Sequence, residues 1–261
     1  KNDPDAQTYD YLDFLNGTVV VKDKAVNTFY SYKFIGLSPL SGGPVFDDYE
    51  ERQHELDGLS KYETFKKVLT ASGRREPYMS GNLTTNLSYK NIRLSGTFAY
   101  SLGAKVRLFQ MYRSELIAPE SNLRRELLDR WQNPGDEKHT NIPAVIGRYE
   151  PYYFTYNEHW SQTSYYNVQP FASSLWNMYD YSDLRVVSGN YLKCNNLMVT
   201  YEFGERILSQ LRMTRLALSL SGTNLFTISS KKLKGQTPTQ GFTEVSLSDR
   251  PTYSFSLSVS F

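Results

Sequence analysis

The sequence is poor in cysteine, in histidine and in long apolar runs. Its one cysteine, Cys194, excludes an intrachain disulfide. The context of that cysteine, Leu192 to Asn196, suits a strand position better than a reactive thiol. Its three histidines, His54, His139 and His159, lie far apart, and none has a partner at metal-ligand spacing. No metal and no cofactor is expected. No stretch approaches the roughly eighteen apolar residues of a transmembrane helix. No Gly-x-Ser-x-Gly elbow and no phosphate loop occurs, so no catalytic residue is assigned and an enzyme is not expected. Charge of one sign is also missing: 29 basic residues face 27 acidic ones, a net charge of +2. Such a balance leaves no basic stripe, and no nucleic-acid partner is expected. The acidic cluster Asp47, Asp48, Glu50 and Glu51 lacks the ligand spacing and glycine of a calcium loop and reads as a solvated loop. The chain opens on Lys1-Asn2-Asp3-Pro4, which is no secretory signal.

What the chain does have is tyrosine, 21 residues of it, and period-two alternation. Mean hydropathy is −0.52, which looks soluble, but spanning barrel strands are only half apolar. The plainest alternation is terminal. Tyr253, Phe255, Leu257, Val259 and Phe261 alternate with Ser254, Ser256, Ser258 and Ser260. A strand puts these two sets on opposite faces, one greasy and one small and polar. The same pattern runs through Leu83 to Leu102 with a tight link at Lys90-Asn91, where Asn91 tolerates a positive φ. It recurs in Leu197 to Phe203 and in Leu216 to Leu220. At Asn195-Asn196 the phase flips, which predicts a β-bulge. A weaker, aromatic strand is expected from Thr28 to Ile35, and one helix over Ser121–Trp131 with Ser121 as its cap. The stretches 36–80 and 103–182 read as long and otherwise irregular. The predicted strands are thus 28–35, 80–89, 92–102, 184–203, 214–227 and 250–261.

The links between these strands alternate between long and short. Outer-membrane barrels have short periplasmic turns and long extracellular loops. If the last strand runs inward to a periplasmic C-terminus, every long link falls outside. Six strands do not close a barrel, and an open edge in hydrocarbon is not tolerated. Two more strands hidden in 103–183, or a larger barrel of which this is one arc, would each meet the constraint. A soluble Tyr-rich β-protein is the other reading of the same composition.

Five pieces in order resemble the SusC/RagA family of TonB-dependent outer-membrane transporters of the Bacteroidota. Tyr191–Tyr201, Leu216–Thr227, and Arg250–Phe255 with the terminal Phe261 are similar to the end of that family. Phe29–Leu37 resembles its FxGYKFAGL segment, and Asp129-Arg130-Trp131 with Thr140–Pro143 resembles its DRW…TDIP loop. Tyr149 to Tyr181 matches no family pattern, and Lys193-Cys194 stands where the family has Arg-Leu or Arg-Phe. Family members are several times longer. The resemblance therefore implies an all-β chain that forms the C-terminal arc of a large antiparallel transmembrane β-barrel with long extracellular loops. On this reading residues 1–261 are one portion of a barrel whose plug domain and N-terminal strands lie outside this chain, as would its export signal.

The resemblance also implies nutrient import, of glycan or peptide, across the outer membrane of a Gram-negative bacterium. Its implied partners are a SusD-like surface lipoprotein, TonB-ExbB-ExbD acting through the N-terminal part, and outer-membrane lipid. A non-transporting scaffold subunit on the same fold is the alternative. Two residue groups stand out. Tyr253, Phe255, Leu257, Val259 and Phe261 would form the barrel assembly signal, since an exposed alternating edge strand pairs by strand addition. Tyr152, Tyr153, Trp160, Tyr165, Tyr166, Trp176, Tyr179 and Tyr181 would form a loop that contacts ligand or partner, or that packs on itself.

Overall fold

The computed structural model describes residues 9–47, 54–56, 58–111, 124–145, 175–240 and 250–261. In chain order its elements are α1 (Tyr11–Asn16), β1 (Thr28–Ser31), β2 (Phe34–Leu37), β3 (Pro44–Phe46), α2 (Lys61–Val68) and β4 (Thr70–Arg74). There follow β5 (Met79–Tyr89), β6 (Ile92–Leu102), β7 (Lys105–Arg107), α3 (Leu175–Asp180) and β8 (Val186–Ser188). The last are β9 (Tyr191–Glu202), α4 (Glu205–Leu211), β10 (Arg215–Ser229) and β11 (Thr252–Ser260). The chain divides into two compact units, the first built on residues 1–76 and 105–187, the second on 77–104, 188–239 and 246–261.

The second unit is a five-stranded antiparallel sheet in the order β11-β10-β9-β6-β5. Three of the four pairings in this order join strands consecutive in the chain, as hairpin-like pairing favours, and the fourth joins β6 to β9. β5 and β6 turn at Lys90-Asn91, and the positive φ there falls on Lys90 (51°) rather than on Asn91. Asn91 instead caps the neighbouring link, donating its Nδ2 to the carbonyl of Glu202 at 2.7 Å. The expected phase flip is a bulge. Asn196 pairs Thr97 and Thr223, Cys194 pairs Phe98 and Phe226, and Asn195 between them has no partner on either side. Opposite it, Asn224 takes a φ of 52°, the left-handed conformation that asparagine tolerates.

The five strands carry the predicted bounds within about two residues, except that the strand expected over 184–203 is two separate pieces, β8 and β9. The strand expected over 28–35 does not join this sheet. β1 pairs β4, and β2 pairs β3, both in the first unit. All four residues of β1 are buried. A strand covered on both faces belongs to a packed interior, not to a wall with one polar side.

The first unit packs an aromatic core. Phe14, Tyr30, Tyr62 and Phe65 meet at centroid distances of 5.4–5.6 Å around Phe14. Phe46 lies between Tyr32 and Phe34. Such tilted and edge-on pairs add to the area each ring buries. α2 begins at a capping box in which Ser60 accepts from the Glu63 amide, and α1 at one formed by Asp10 and Asp13. The helix expected over 121–131 is a short 3-10 turn, Arg125–Asp129, and Ser121 lies outside the described residues. The turn leaves Leu127 buried and Leu128 exposed. Trp131 is fixed by three contacts: its amide donates to Ile142 O at 2.9 Å, its indole Nε1 donates to Glu137 Oε2 at 3.2 Å, and its ring covers Gly42.

Candidate functional site

The alternation of the sheet sorts its side chains into two faces. The ladder Leu87, Leu94, Val199, Leu220 and Phe255 crosses all five strands on one face. Below it run Ile92, Tyr201, Leu218 and Leu257. Above the bulge come Leu83, Phe98, Cys194 and Phe226, and then Tyr100, Leu192 and Ile228. The other face carries Asn86, Ser95, Met198, Ser221 and Ser254 in one row, polar except for Met198, and Ser88, Arg93, Thr200, Ser219 and Ser256 in the next. Thr200 and Ser219 hydroxyls hydrogen-bond at 2.9 Å. The bulge keeps this sorting intact. Were Asn195 paired in the ladder instead of bulged out, Leu192 and Cys194 would turn to the polar face, since a one-residue slip inverts every side chain.

The apolar face is open. Leu83, Leu87, Leu220, Phe226, Ile228, Tyr253, Phe255 and Leu257 are each 45–70% exposed. A contiguous apolar face this wide exceeds what monomers expose to water and marks contact with lipid or protein. Its five strands are 9 to 15 residues long, which covers the roughly 9–11 residues a tilted strand needs to cross a bilayer. Cys194 is fully buried within this sheet and makes no disulfide.

The sheet also has two different ends. One end holds the Lys90-Asn91 turn, the 203–214 link and Phe261. There Glu202 lies 3.9 Å from Arg93 and 3.7 Å from Arg215, and α4 caps the link. The segments 1–78, 103–190 and 230–251 all join the strands at the other end. The alternation of long and short links thus survives the loss of strand 28–35.

Tyr253, Phe255, Leu257 and Val259 stand on the exposed apolar face of β11, and Phe261 follows it at 85% exposure. The aromatic group divides. Tyr179 and Tyr181 are buried in the core of the first unit, so packing is the role they display. Trp176 lies in α3. Tyr152, Tyr153, Trp160, Tyr165 and Tyr166 lie outside the described residues. Of the acidic cluster, Asp47 sits 3.6 Å from Lys33, and the rest lie outside the described residues.

Two buried arginines were not apparent from sequence. Arg107, on β7, donates to Leu15 O, Tyr30 O and Ser31 Oγ through Nη2 at 2.9–3.1 Å, and to Ser182 O through Nη1 at 3.3 Å. Its guanidinium lies 5.2 Å from the rings of both Phe29 and Tyr181. Burial pulls its pKa down to about 9, against the pull of Tyr181, Tyr32 and Asp180, so it stays charged at neutral pH. Arg185 pairs Glu126 at 3.0 Å, donates to Phe109 O at 2.6 Å and lies 4.0 Å from Asp180. Asp180 in turn accepts from the Met111 amide. Apart from the nearby Asp180–Arg185 contact, these partners are 59 to 92 residues apart in sequence, beyond the reach of any local pattern. Burial pushes the neighbouring Tyr32 and Tyr179 phenols well above their ordinary value. These groups bind the first unit together and leave no exposed acid–base pair, and no group of three metal-ligating side chains occurs among the described residues.

No protein-family model and no curated protein matches this sequence. Solved structures do. A chain of the RagAB peptide importer in its open-open state superposes with a TM-score of 0.55 at 16% identity, covering 93% of this chain and 24% of that one. A chain of the RagAB peptide transporter gives 0.55 at 16%, covering 90% and 23%. The closed-closed importer gives 0.54 at 18%, covering 90% and 23%. The chain thus spans about a quarter of the length of the importer chains it matches. At this identity the likeness is one of fold, and it includes both units. The chain is accordingly an arc of an antiparallel β-barrel, and its resemblance to the SusC/RagA transporters holds at the level of that fold.

Proposed function

We propose that this chain is the C-terminal portion of a TonB-dependent outer-membrane importer, with the plug domain and remaining strands supplied by sequence outside it. The observation that carries the proposal is the sheet. It has one exposed apolar face for lipid and one small, polar face for the lumen, and every long segment leaves from one end. The likeness to a peptide importer favours peptides over glycans as cargo. In this reading the long-segment end faces outward and meets a SusD-like lipoprotein, and Phe261 lies on the periplasmic side. TonB-ExbB-ExbD acts on the absent plug. β11, with Tyr253, Phe255, Leu257, Val259 and Phe261, guides barrel assembly by strand pairing. The aromatic stretch from Tyr152 to Tyr166, with Trp176, offers rings and polar tips for ligand or partner contact.

Uptake is the direct test. Cells bearing the complete gene should accumulate labelled oligopeptides in the periplasm, and an uncoupler that collapses the proton gradient should abolish it. If the barrel assembles and folds yet the gene's deletion leaves uptake of peptides and glycans alike unchanged, the scaffold reading replaces this one.

A further inference from the structure

The polar face of the sheet is almost free of charge. Arg93, Glu202 and Arg215 gather at the short-link end, and every other paired position of that face is uncharged except Lys193. Lys193 lies on β9 near the end that receives the long segments, partly buried, with Ala99 and Thr227 as its neighbours in the ladder. Beside it the ladder opens. Asn224 and Leu225 leave the pairing between Thr223 and Phe226, and the positive φ of Asn224 marks the break. The opening is a niche of about 30 Å³ lined by Tyr191 and Lys193 of β9, Asn224 and Thr227 of β10, and residues 237–239.

The third wall comes from the segment after β10. Leu233 and Gln236 are buried, and the Gln236 amide donates to Leu233 O at 2.9 Å, so Thr237, Pro238 and Thr239 turn back against the polar face. The niche thus gathers one cationic group, the hydroxyls of Tyr191 and three threonines, and the Asn224 amide, with no acid in its lining. The side chains of Asn224 and Thr227 make no hydrogen bond among the described residues. Such a volume admits about two water-sized groups, which is the size of one carboxylate and too small for a sugar ring. A carboxylate accepts through both oxygens and donates nothing, so a lysine among hydroxyl and amide donors complements it.

We propose that this niche is a carboxylate subsite for the cargo. Lys193 holds a peptide carboxylate on the lumen wall near the outer mouth, and Asn224 and Thr227 donate beside it. The inference rests on the reading of the chain as part of a peptide importer, and it makes Lys193 a specificity-determining residue of that importer. The carboxylate is either the peptide's C-terminus or an acidic side chain.

The test is isothermal titration of the detergent-purified complete importer with one oligopeptide that the cells import, in three forms. The first has a free C-terminus and one glutamate, the second an amidated C-terminus, and the third glutamine in place of the glutamate. At least one altered form should bind the wild type about tenfold more weakly than the first, and which one does so names the source of the carboxylate. Lys193→Gln should bind all three forms alike, at the weaker level, whereas Lys193→Arg should keep the preference. Heat-modifiable migration scores the folding of each variant, and the wild-type comparison stands without any variant. Equal affinity of the wild type for all three forms, or a preference that survives in folded Lys193→Gln, would overturn the subsite and leave the importer reading in place. Cells that import no peptide at all would sink the importer reading and this inference with it.

Discussion

At the scale of residues, two positions hold the first unit. Arg107 ties together three segments that are distant in sequence through four hydrogen bonds and two ring faces. Only a planar guanidinium reaches acceptors in those directions at once. Arg107→Met should leave those carbonyls unpaired and cost on the order of 3 kcal/mol or more. Hydrogen exchange would read it as lost protection in residues 9–47 and 175–187 while the sheet stays protected. Gly42 is the second position. It has a φ of +66°, and a Cβ there would stand 2.3 Å from the Trp131 ring. Gly42→Ala should therefore destabilise the unit through both strain and overlap, by about 1–3 kcal/mol, seen as a lower midpoint in Trp131 fluorescence with Trp160 and Trp176 replaced by Phe. Acid should loosen the same region. The Asp136 carboxylate accepts from the Asn133 and Gln132 amides, and these bonds hold its pKa below 3.8. Its contribution is whole above that ordinary value and is lost as pH falls through the depressed one. Trp131 emission should shift below about pH 4, and Asp136→Asn should flatten the shift. None of the arginine contacts was legible in sequence, because a lone arginine carries no periodicity and its acceptors are backbone.

At the scale of elements, the wall was legible and the packed unit less so, for one reason. A strand with two different environments writes a period of two, so β5, β6, β9, β10 and β11 could be read directly. The bulge at Asn195 was legible too, as a break in that period. β1 was misplaced because Phe29, Tyr30 and Tyr32 look like a barrel's aromatics until both faces are found covered. α2 was overlooked although Ser60-x-x-Glu63 is a capping-box signature, and α4 because its seven residues are short of any sustained helical period. The two-faced strand makes a sharp prediction. Leu220→Arg puts a charge at the centre of the apolar face and should cost about 2–4 kcal/mol, enough to reduce assembled barrel. Ser221→Arg, one residue on and on the other face, should be tolerated. Folded yield in detergent, scored by heat-modifiable migration, separates the two; equal loss in both would mean the faces are wrongly assigned.

At the scale of the whole molecule, direction is what the sheet adds to the alternation. A sheet whose long connections all cross at one end and whose short ones cross at the other has two distinct ends, whatever else completes the barrel. The short end carries Asn91, the 203–214 link and Phe261, and the long end receives 1–78, 103–190 and 230–251. Outer-membrane barrels place long segments outside and short turns on the periplasmic side. Single cysteines introduced at Asn91 and Ser209 on one end, and at Lys24 and Ser230 on the other, test this in a Cys194→Ser background. A membrane-impermeant maleimide applied to intact cells should modify Lys24→Cys and Ser230→Cys. Asn91→Cys and Ser209→Cys should react only after the outer membrane is opened. The reverse pattern would turn the sheet over. Labelling of all four in intact cells would remove the chain from the membrane altogether.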